Sequence, residues 1–337
     1  MARFVLFGRD PAQEAGATEA SNDRPDWAQA NPARIERSLR HALAKPSGGW
    51  AVLDASDRIS APRGFTVGGE ELVAWRTKDG TLRVAPEACP HMGASLCDGE
   101  VDDAGRIVCP WHGLALGDRA RGDWEPRIAH DDGVLAWVRL PQLLAPDERF
   151  TDAPILAARP DTFLSGVVRM EARCEPRDIL ANRLDPWHGA HYHPHSFLRL
   201  SVIDEDVSQL TVRVVYKVLG PLAMEVDARF DCPDPRTIVM TILRGDGVGS
   251  VVETHATPID AGRTAVIEAT LATSDRMLFP LFRTLSALAR PMIERRAARL
   301  WVEDRAYAER TYELRTREER RQHDDERTSK RLRVVNR

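Results

Sequence analysis

The chain has 337 residues, room for about two domains of ~100–200 residues each. Its 47 Lys and Arg stand against 51 Asp and Glu, a net charge of −4, so it lacks the basic excess expected of a nucleic-acid-binding protein. Hydrophobic residues make up 43% and charged residues 29%, an ordinary globular mixture. No apolar run approaches the ~18–20 residues of a membrane span. The start has four large apolar residues before Gly8, short of the ~7–15 of a secretory segment, and this predicts a soluble, cytoplasmic protein. The five cysteines, at 89, 97, 109, 174 and 232, are an odd number, which argues against a disulfide scaffold.

In chain order, residues 1–48 are rich in Ala, Pro, Asp and Asn, with one amphipathic stretch over 32–44 and a break at Pro46-Ser-Gly-Gly49. The runs 50–53, 71–75, 82–85 and 135–140 read as short strands, with Lys78-Asp-Gly80 as a hairpin turn. Residues 141–160 contain four prolines and read as a linker. A helix is predicted over 177–187. The alternating runs 199–203, 209–218, 223–230, 237–243, 250–256 and 264–272 then predict an antiparallel sheet with one buried face. From about Asp275 the pattern is that of a long helix interrupted at Pro280 and Pro291, ending in a charged, solvated stretch from 313.

Two segments carry chemistry. The first is Cys89-Pro-His91, then 17 residues, then Cys109-Pro-Trp-His112. Zinc pairs usually leave two or more residues between ligands, and Cys-x-His is tighter than that. An asymmetric set of two Cys and two His suits a [2Fe–2S] cluster in which two thiolates hold one iron and two imidazoles the other. The segment resembles the Rieske motif C-x-H-x17-C-x2-H, and residues 50–140 resemble the small β-domain that carries it. The respiratory branch of that family adds a disulfide between the ligand loops. Here Trp111 and Ala94 occupy those two positions and Cys97 is left unpaired, so the site is similar to the oxygenase and ferredoxin branch. One departure is Leu114 after His112-Gly113, where oxygenases usually carry an aromatic residue.

The second segment is Asn182-Arg-Leu-Asp185-Pro-Trp-His188-Gly-Ala-His191-Tyr-His193. It resembles N-x2-D-x2-H-x4-H, which Rieske non-haem iron oxygenases place after the Rieske domain. By that resemblance His188 and His193 bind a mononuclear Fe(II), and Asp185 both orients the His188 ring and contacts a Rieske histidine of the neighbouring subunit. On a continuous helix His188 would share a face with His191, while five residues rotate a side chain ~140° away. The 188/193 pair therefore requires the helix to end or bulge, with Gly189 the expected place. The third ligand is expected from the acidic pair Glu303-Asp304, with Asp304 preferred, Glu303 the alternative and Asp275 a weaker one.

The resemblance implies an α+β chain in three parts: an extension over 1–48, a Rieske [2Fe–2S] domain over 49–148 and a catalytic iron domain over 149–337. The last is expected to be helix-grip-like, a curved antiparallel sheet with flanking helices. It implies a homotrimer and two electrons from an external reductase, with or without a ferredoxin. No G-x-G-x-x-G fingerprint marks a nucleotide site. The N-x2-D spacing resembles the single-subunit hydroxylases and demethylases, ketosteroid hydroxylases among them, rather than the dihydroxylating members. That implies O2-dependent hydroxylation, desaturation, cyclisation or dealkylation of a hydrophobic molecule such as a terpenoid, steroid, polyketide or aromatic. The apolar residues 277–282 and 285–288 are candidates for its pocket. An alternative is a Rieske electron carrier fused to a binding domain that holds no catalytic iron.

Overall fold

A computed structural model describes residues 4–6, 30–219, 222–275, 279 and 286–335. Of the candidate pocket stretch 277–288, only Phe279 and the backbone of 286–288 fall within the described residues.

Strand β1 (Phe4–Leu6) is followed by helix α1 (Pro32–Leu43). The Asn31 side chain accepts from the N–H groups of Ala33 and Arg34, and Pro32 opens the first turn, a standard helix start. Helix α1 buries Arg34, Ser38, Leu39 and Ala42 on one face.

Nine short strands follow: β2 (Trp50–Ala55), β3 (Arg63–Val67), β4 (Glu70–Arg76), β5 (Leu82–Pro86), β6 (Glu100–Val101), β7 (Ile107–Val108), β8 (Ala115–Leu116), β9 (Ile128–Asp131) and β10 (Leu135–Arg139). They form three antiparallel three-stranded sheets, ordered β2-β10-β9, β3-β4-β5 and β6-β7-β8. The hairpin between β4 and β5 turns at Gly80, whose φ of 87° favours glycine. The ligand loops leave from β5 and β7. The predicted strands lie in β2, β4, β5 and β10, whereas the two-residue strands β6 to β8 are too short to give a pattern.

The second half holds β11 (Leu164–Ala172), helices α2 (Pro176–Arg183) and α3 (Trp187–Tyr192), and six long strands: β12 (Phe197–Glu205), β13 (Gln209–Leu219), β14 (Leu222–Asp234), β15 (Thr237–Gly245), β16 (Val251–Asp260) and β17 (Arg263–Ala272). Helix α4 (Ser286–Val335) closes the described chain. The sheet order is β11-β17-β16-β15-β14-β13-β12, antiparallel throughout, with β1 added against β14. The α+β architecture is therefore as expected.

Three expectations change. The single helix over 177–187 is two helices, because Pro186 has no N–H with which to continue α2. The long C-terminal helix is not interrupted at Pro291, which lies inside α4. And the sheet is not buried on one face only. Ile238, Ala256 and Val266 pack with Trp301 and Ala308 of α4, while their chain neighbours Val239 and Ile267 pack with Trp50, Val52 and Trp137 of the first domain. The β11/β15–β17 end of the sheet is thus covered by helices on one side and by the β-domain on the other.

The proline-rich segment is pinned rather than free. Glu148 accepts hydrogen bonds from Ser47 and from the Gly48 and Ala145 N–H groups. Arg159 makes two 2.7 Å bonds to Glu253 of β16 and lies 3.0 Å from Asp132, just before β10. Burial alone would raise the Glu253 carboxyl, but the Arg159 and His255 contacts hold it down to about 2, against an ordinary 4.5. A depressed carboxyl stabilises the fold above its ordinary value and loses that contribution as pH falls through its folded value. We expect about 3 kcal/mol from these two contacts together, complete above pH 4.5 and lost as pH falls toward 2. Arg159→Leu leaves Glu253 buried with only His255 beside it, and should cost about 3 kcal/mol in a denaturant titration at pH 7. An unchanged midpoint would show that the contact contributes nothing.

Candidate functional site

Two sites stand out. In the first, the ligand loops are built alike. The N–H of Gly93 bonds the Cys89 carbonyl at 2.8 Å and that of Gly113 the Cys109 carbonyl at 3.0 Å. Each cysteine N–H in turn bonds the carbonyl five residues on, Ala94 or Leu114, at 2.9 Å. Gly93 and Gly113 carry φ of 76° and 70°, which a side chain would resist. Cys89 and Cys109 are buried, whereas His91 and His112 are exposed with ring centroids 4.7 Å apart. Burial opposes a thiolate at Cys109, but the backbone N–H groups of Trp111 and His112 and the Cys89 thiol point at its sulfur and hold it below the usual thiol range. This is a preformed pair of thiol ligands with two imidazoles on the solvent side.

No disulfide joins the loops, since all five cysteines are free. Cys97 instead donates to Glu87 at 2.9 Å. Leu114, the unusual residue, is half-buried against the core around Cys89 and Cys109, so it fills the space without disturbing a ligand.

The second site lies between α2, α3 and α4. His188 sits in α3, and His193 caps that helix with φ −119° and ψ 52°, its N–H still bonded to the Gly189 carbonyl. The helix therefore ends after Tyr192 and not at Gly189 as expected; leaving the helix turns the His193 ring back toward His188. Asp304 enters from α4. Its Oδ1 lies 3.0 Å from His188 Nε2 and 2.9 Å from His193 Nε2, and the three ligand atoms lie within 4.8 Å of one another. Among the described residues, this is the one such group of three. Burial would raise the Asp304 carboxyl, but the two histidines and the nearby Arg183 charge hold it well below the usual carboxylate range. Two imidazoles and one carboxylate on one side fit a non-haem Fe(II) and leave coordination positions open.

The surrounding residues orient these three. Asn182, fully buried, donates to Asp304 Oδ1 at 3.2 Å. His193 Nδ1 is backed by Glu303, whose other oxygen lies 3.9 Å from His195 Nδ1. Glu303 thus stands behind a ligand and is not one of the three, and Asp275 is exposed and outside the group. His191 is exposed. The expectation that the Asp185 carboxylate orients His188 is not met. That group is 3.9 Å from Nδ1, and the Asp185 backbone carbonyl takes the hydrogen bond. The carboxylate accepts instead from the Tyr307 hydroxyl at 3.1 Å, and its Oδ1 is buried with no hydrogen-bond partner among the described residues. Tyr307 also stacks on His188, centroids 5.2 Å apart. Sequence reasoning passed over Tyr307, although it lies one helical turn after Asp304.

An anion behind a metal-bound imidazole raises its basicity. Glu303→Gln should therefore weaken metal retention at this site about tenfold, while the spectrum of the cluster stays unchanged. Chelator competition on the purified protein measures this, and unaltered retention would show that Glu303 is only a surface carboxylate.

The comparisons with known proteins cover both parts of the chain. Residues 49–138 match the Rieske [2Fe–2S] domain. Residues 145–319, more than half of the chain, match a family described as a domain of unknown function, DUF5914, and the chain belongs to that family. Dicamba monooxygenase bound to dicamba has the same fold, with a TM-score of 0.56 over 82% of this chain and 90% of that one, at 18% identity. The chain thus carries a Rieske [2Fe–2S] domain and has the fold of the Rieske non-haem iron oxygenases. The cofactors of that family, a [2Fe–2S] cluster and a mononuclear iron, fit the two donor sets.

Among curated relatives, aminopyrrolnitrin oxygenase from Pseudomonas fluorescens is 36% identical over 72 residues, 21% of this chain and 20% of the relative. Cholesterol 7-desaturase from Xenopus laevis is 29% identical over 133 residues, 39% of this chain and 25% of the relative. The matches thus span about a quarter or less of those relatives' length. Among the described residues, no helix is long and apolar enough to cross a membrane.

Proposed function

We propose that this chain is the terminal oxygenase of a multicomponent system, oxidising a hydrophobic small molecule with O2 and two electrons supplied by an external reductase, with or without a ferredoxin. The observation that carries this reading is the convergence of His188, His193 and Asp304 in a chain that also presents the Cys89/His91/Cys109/His112 loops.

Cys89, Cys109, His91 and His112 hold the cluster in a domain spanning 49–148, and His188, His193 and Asp304 hold Fe(II) in a domain spanning 149–337. The iron, when bound, supplies the redox chemistry that activates dioxygen. The protein supplies geometry. Asn182 fixes Asp304, Glu303 and the Asp185 carbonyl fix the two imidazoles, and the Asp185 oxygen that lacks a partner accepts from a cluster histidine of a neighbouring subunit once a side-chain shift uncovers it. We read the working form as a cyclic homotrimer acting in the cytoplasm, in which this contact joins each cluster to the neighbouring iron site.

The substrate class is supported by what borders the site. Phe197 lies beside His193, ring centroids 6.2 Å apart, and packs into an apolar group with Val214, Tyr216, Val226, Met240 and Ile242 on one face of the sheet. The relatives named for aminopyrrolnitrin and cholesterol also point to apolar ring systems. Hydroxylation, desaturation, cyclisation and dealkylation all remain within this site's chemistry.

Iron and acid-labile sulfide per chain test the reading directly, on anaerobically prepared protein. Three irons with two sulfides, and substrate-dependent O2 uptake with a surrogate reductase, are expected. Two irons with two sulfides, unchanged after Fe(II) is added back, would assign the chain to the electron-carrier alternative.

A further inference from the structure

The N-terminal helix α1 lies outside both matched families, yet it reaches the metal-binding segment. Arg34 is 5% exposed, an unusual place for a guanidinium. It lies over the Trp187 ring at 4.5 Å, and its Nη2 donates to the Leu184 carbonyl at 2.9 Å. Its Nε is 3.4 Å from Glu205 without forming a hydrogen bond, and Nη1 has no hydrogen-bond partner among the described residues. The Asp185 carboxylate is within electrostatic reach of it.

Burying a cation with unused donors is costly, and packing alone does not require it. What Arg34 holds is the Leu184–Asp185 peptide. The carbonyl of the next peptide, that of Asp185, receives the His188 Nδ1 hydrogen bond. Trp187, the other surface Arg34 covers, is the residue before His188.

We propose that Arg34 is a positioning residue for the mononuclear metal site, so that the N-terminal extension fixes the turn between α2 and α3 on which the orientation of His188 depends. The inference rests on the metal reading above. Arg34 does not touch a ligand; it sets the backbone from which one is aimed. Stacking over Trp187 places the guanidinium, its donor anchors the Leu184 carbonyl, and its charge faces Asp185.

The test is the affinity for Fe(II) beyond the two cluster irons, measured on the full chain by chelator competition, with no turnover required. Arg34→Met keeps an unbranched apolar side chain against Trp187 and removes donor and charge. It should lower the affinity about tenfold with the cluster spectrum intact. Arg34→Lys restores a donor and a positive charge and should recover most of the loss, which a purely packing role does not predict. Wild-type affinity in Arg34→Met, or an equal loss in Arg34→Lys, overturns the proposal. Should Arg34→Met lose its cluster spectrum, Arg34→Lys alone decides: near-wild-type affinity supports the proposal, and a tenfold loss overturns it. Wild-type protein that retains no third iron overturns the metal reading itself, a result distinct from either variant outcome.

Discussion

Replacing His188 by alanine is expected to lower the iron content from three to two per chain and to reduce product formation to background, while the visible and EPR spectra of the cluster stay unchanged. In the proposed iron site His188 supplies one of two nitrogen ligands, and its Nε2 is 3.0 Å from the shared Asp304 oxygen. Without it, Asp304 and His193 cannot define the facial set that an oxygen-activating iron needs. The cluster ligands lie in a different domain, on loops closed by their own backbone hydrogen bonds, so they should not register the change. The stacked Tyr307 ring would border a small cavity, a modest stability loss of about 1–3 kcal/mol. An electron carrier with no second site gives the opposite result: iron content and electron transfer would both be indifferent to the substitution.

The sequence made this site legible because its signals are local. Four histidines between 188 and 195, with Asn182 and Asp185 just before them, announce a ligand cluster, and Cys89–His112 announces another. What the sequence withheld depends on tertiary placement. Asp304 and Glu303 are adjacent and chemically alike. Only the rotation of α4 turns one toward both Nε2 atoms and the other toward His193 Nδ1. Asp185 was assigned an orienting role through its side chain, whereas the geometry gives that role to its carbonyl, a group that every residue carries and no motif can reveal.

The fold follows the same division. Strands β12 to β17 were visible as apolar alternation, but β11 was not. Val167 and Val168 go to opposite sides of the sheet, into two different cores, so a strand covered on both faces shows no alternation. Gly166 further disguises it. A Cβ there would meet Ile293 of α4 at 2.8 Å, so the glycine marks a close helix crossing and not a turn. The uninterrupted course of α4 through Pro291 was missed for a related reason. Packing of Trp301, Ala297 and Ala308 stabilises the helix as a whole, and one lost hydrogen bond near its start is outweighed.

The second large effect is expected from Asp185→Asn, and it separates the two functions of that residue. Iron content should be unchanged, because the His188 ring is held by the Asp185 backbone carbonyl, which the substitution leaves in place, and Asp185 is not among the three ligands. Tyr307 can still donate to the remaining amide oxygen. What changes is the other, unpartnered position, which becomes an N–H2 donor with no charge. An incoming imidazole N–H from a neighbouring subunit then meets a donor in place of an acceptor, and the contact is lost. Reoxidation of the reduced cluster in a single turnover with substrate and O2 should slow by about 10–100-fold. Sedimentation should report the same assembly as the wild type, because a single contact contributes little to a protein interface. Loss of the third iron in this variant would show that the carboxylate and not the carbonyl positions His188. A wild-type rate of cluster reoxidation would show that electrons reach the iron without passing Asp185, and the intersubunit bridge would have to be sought elsewhere.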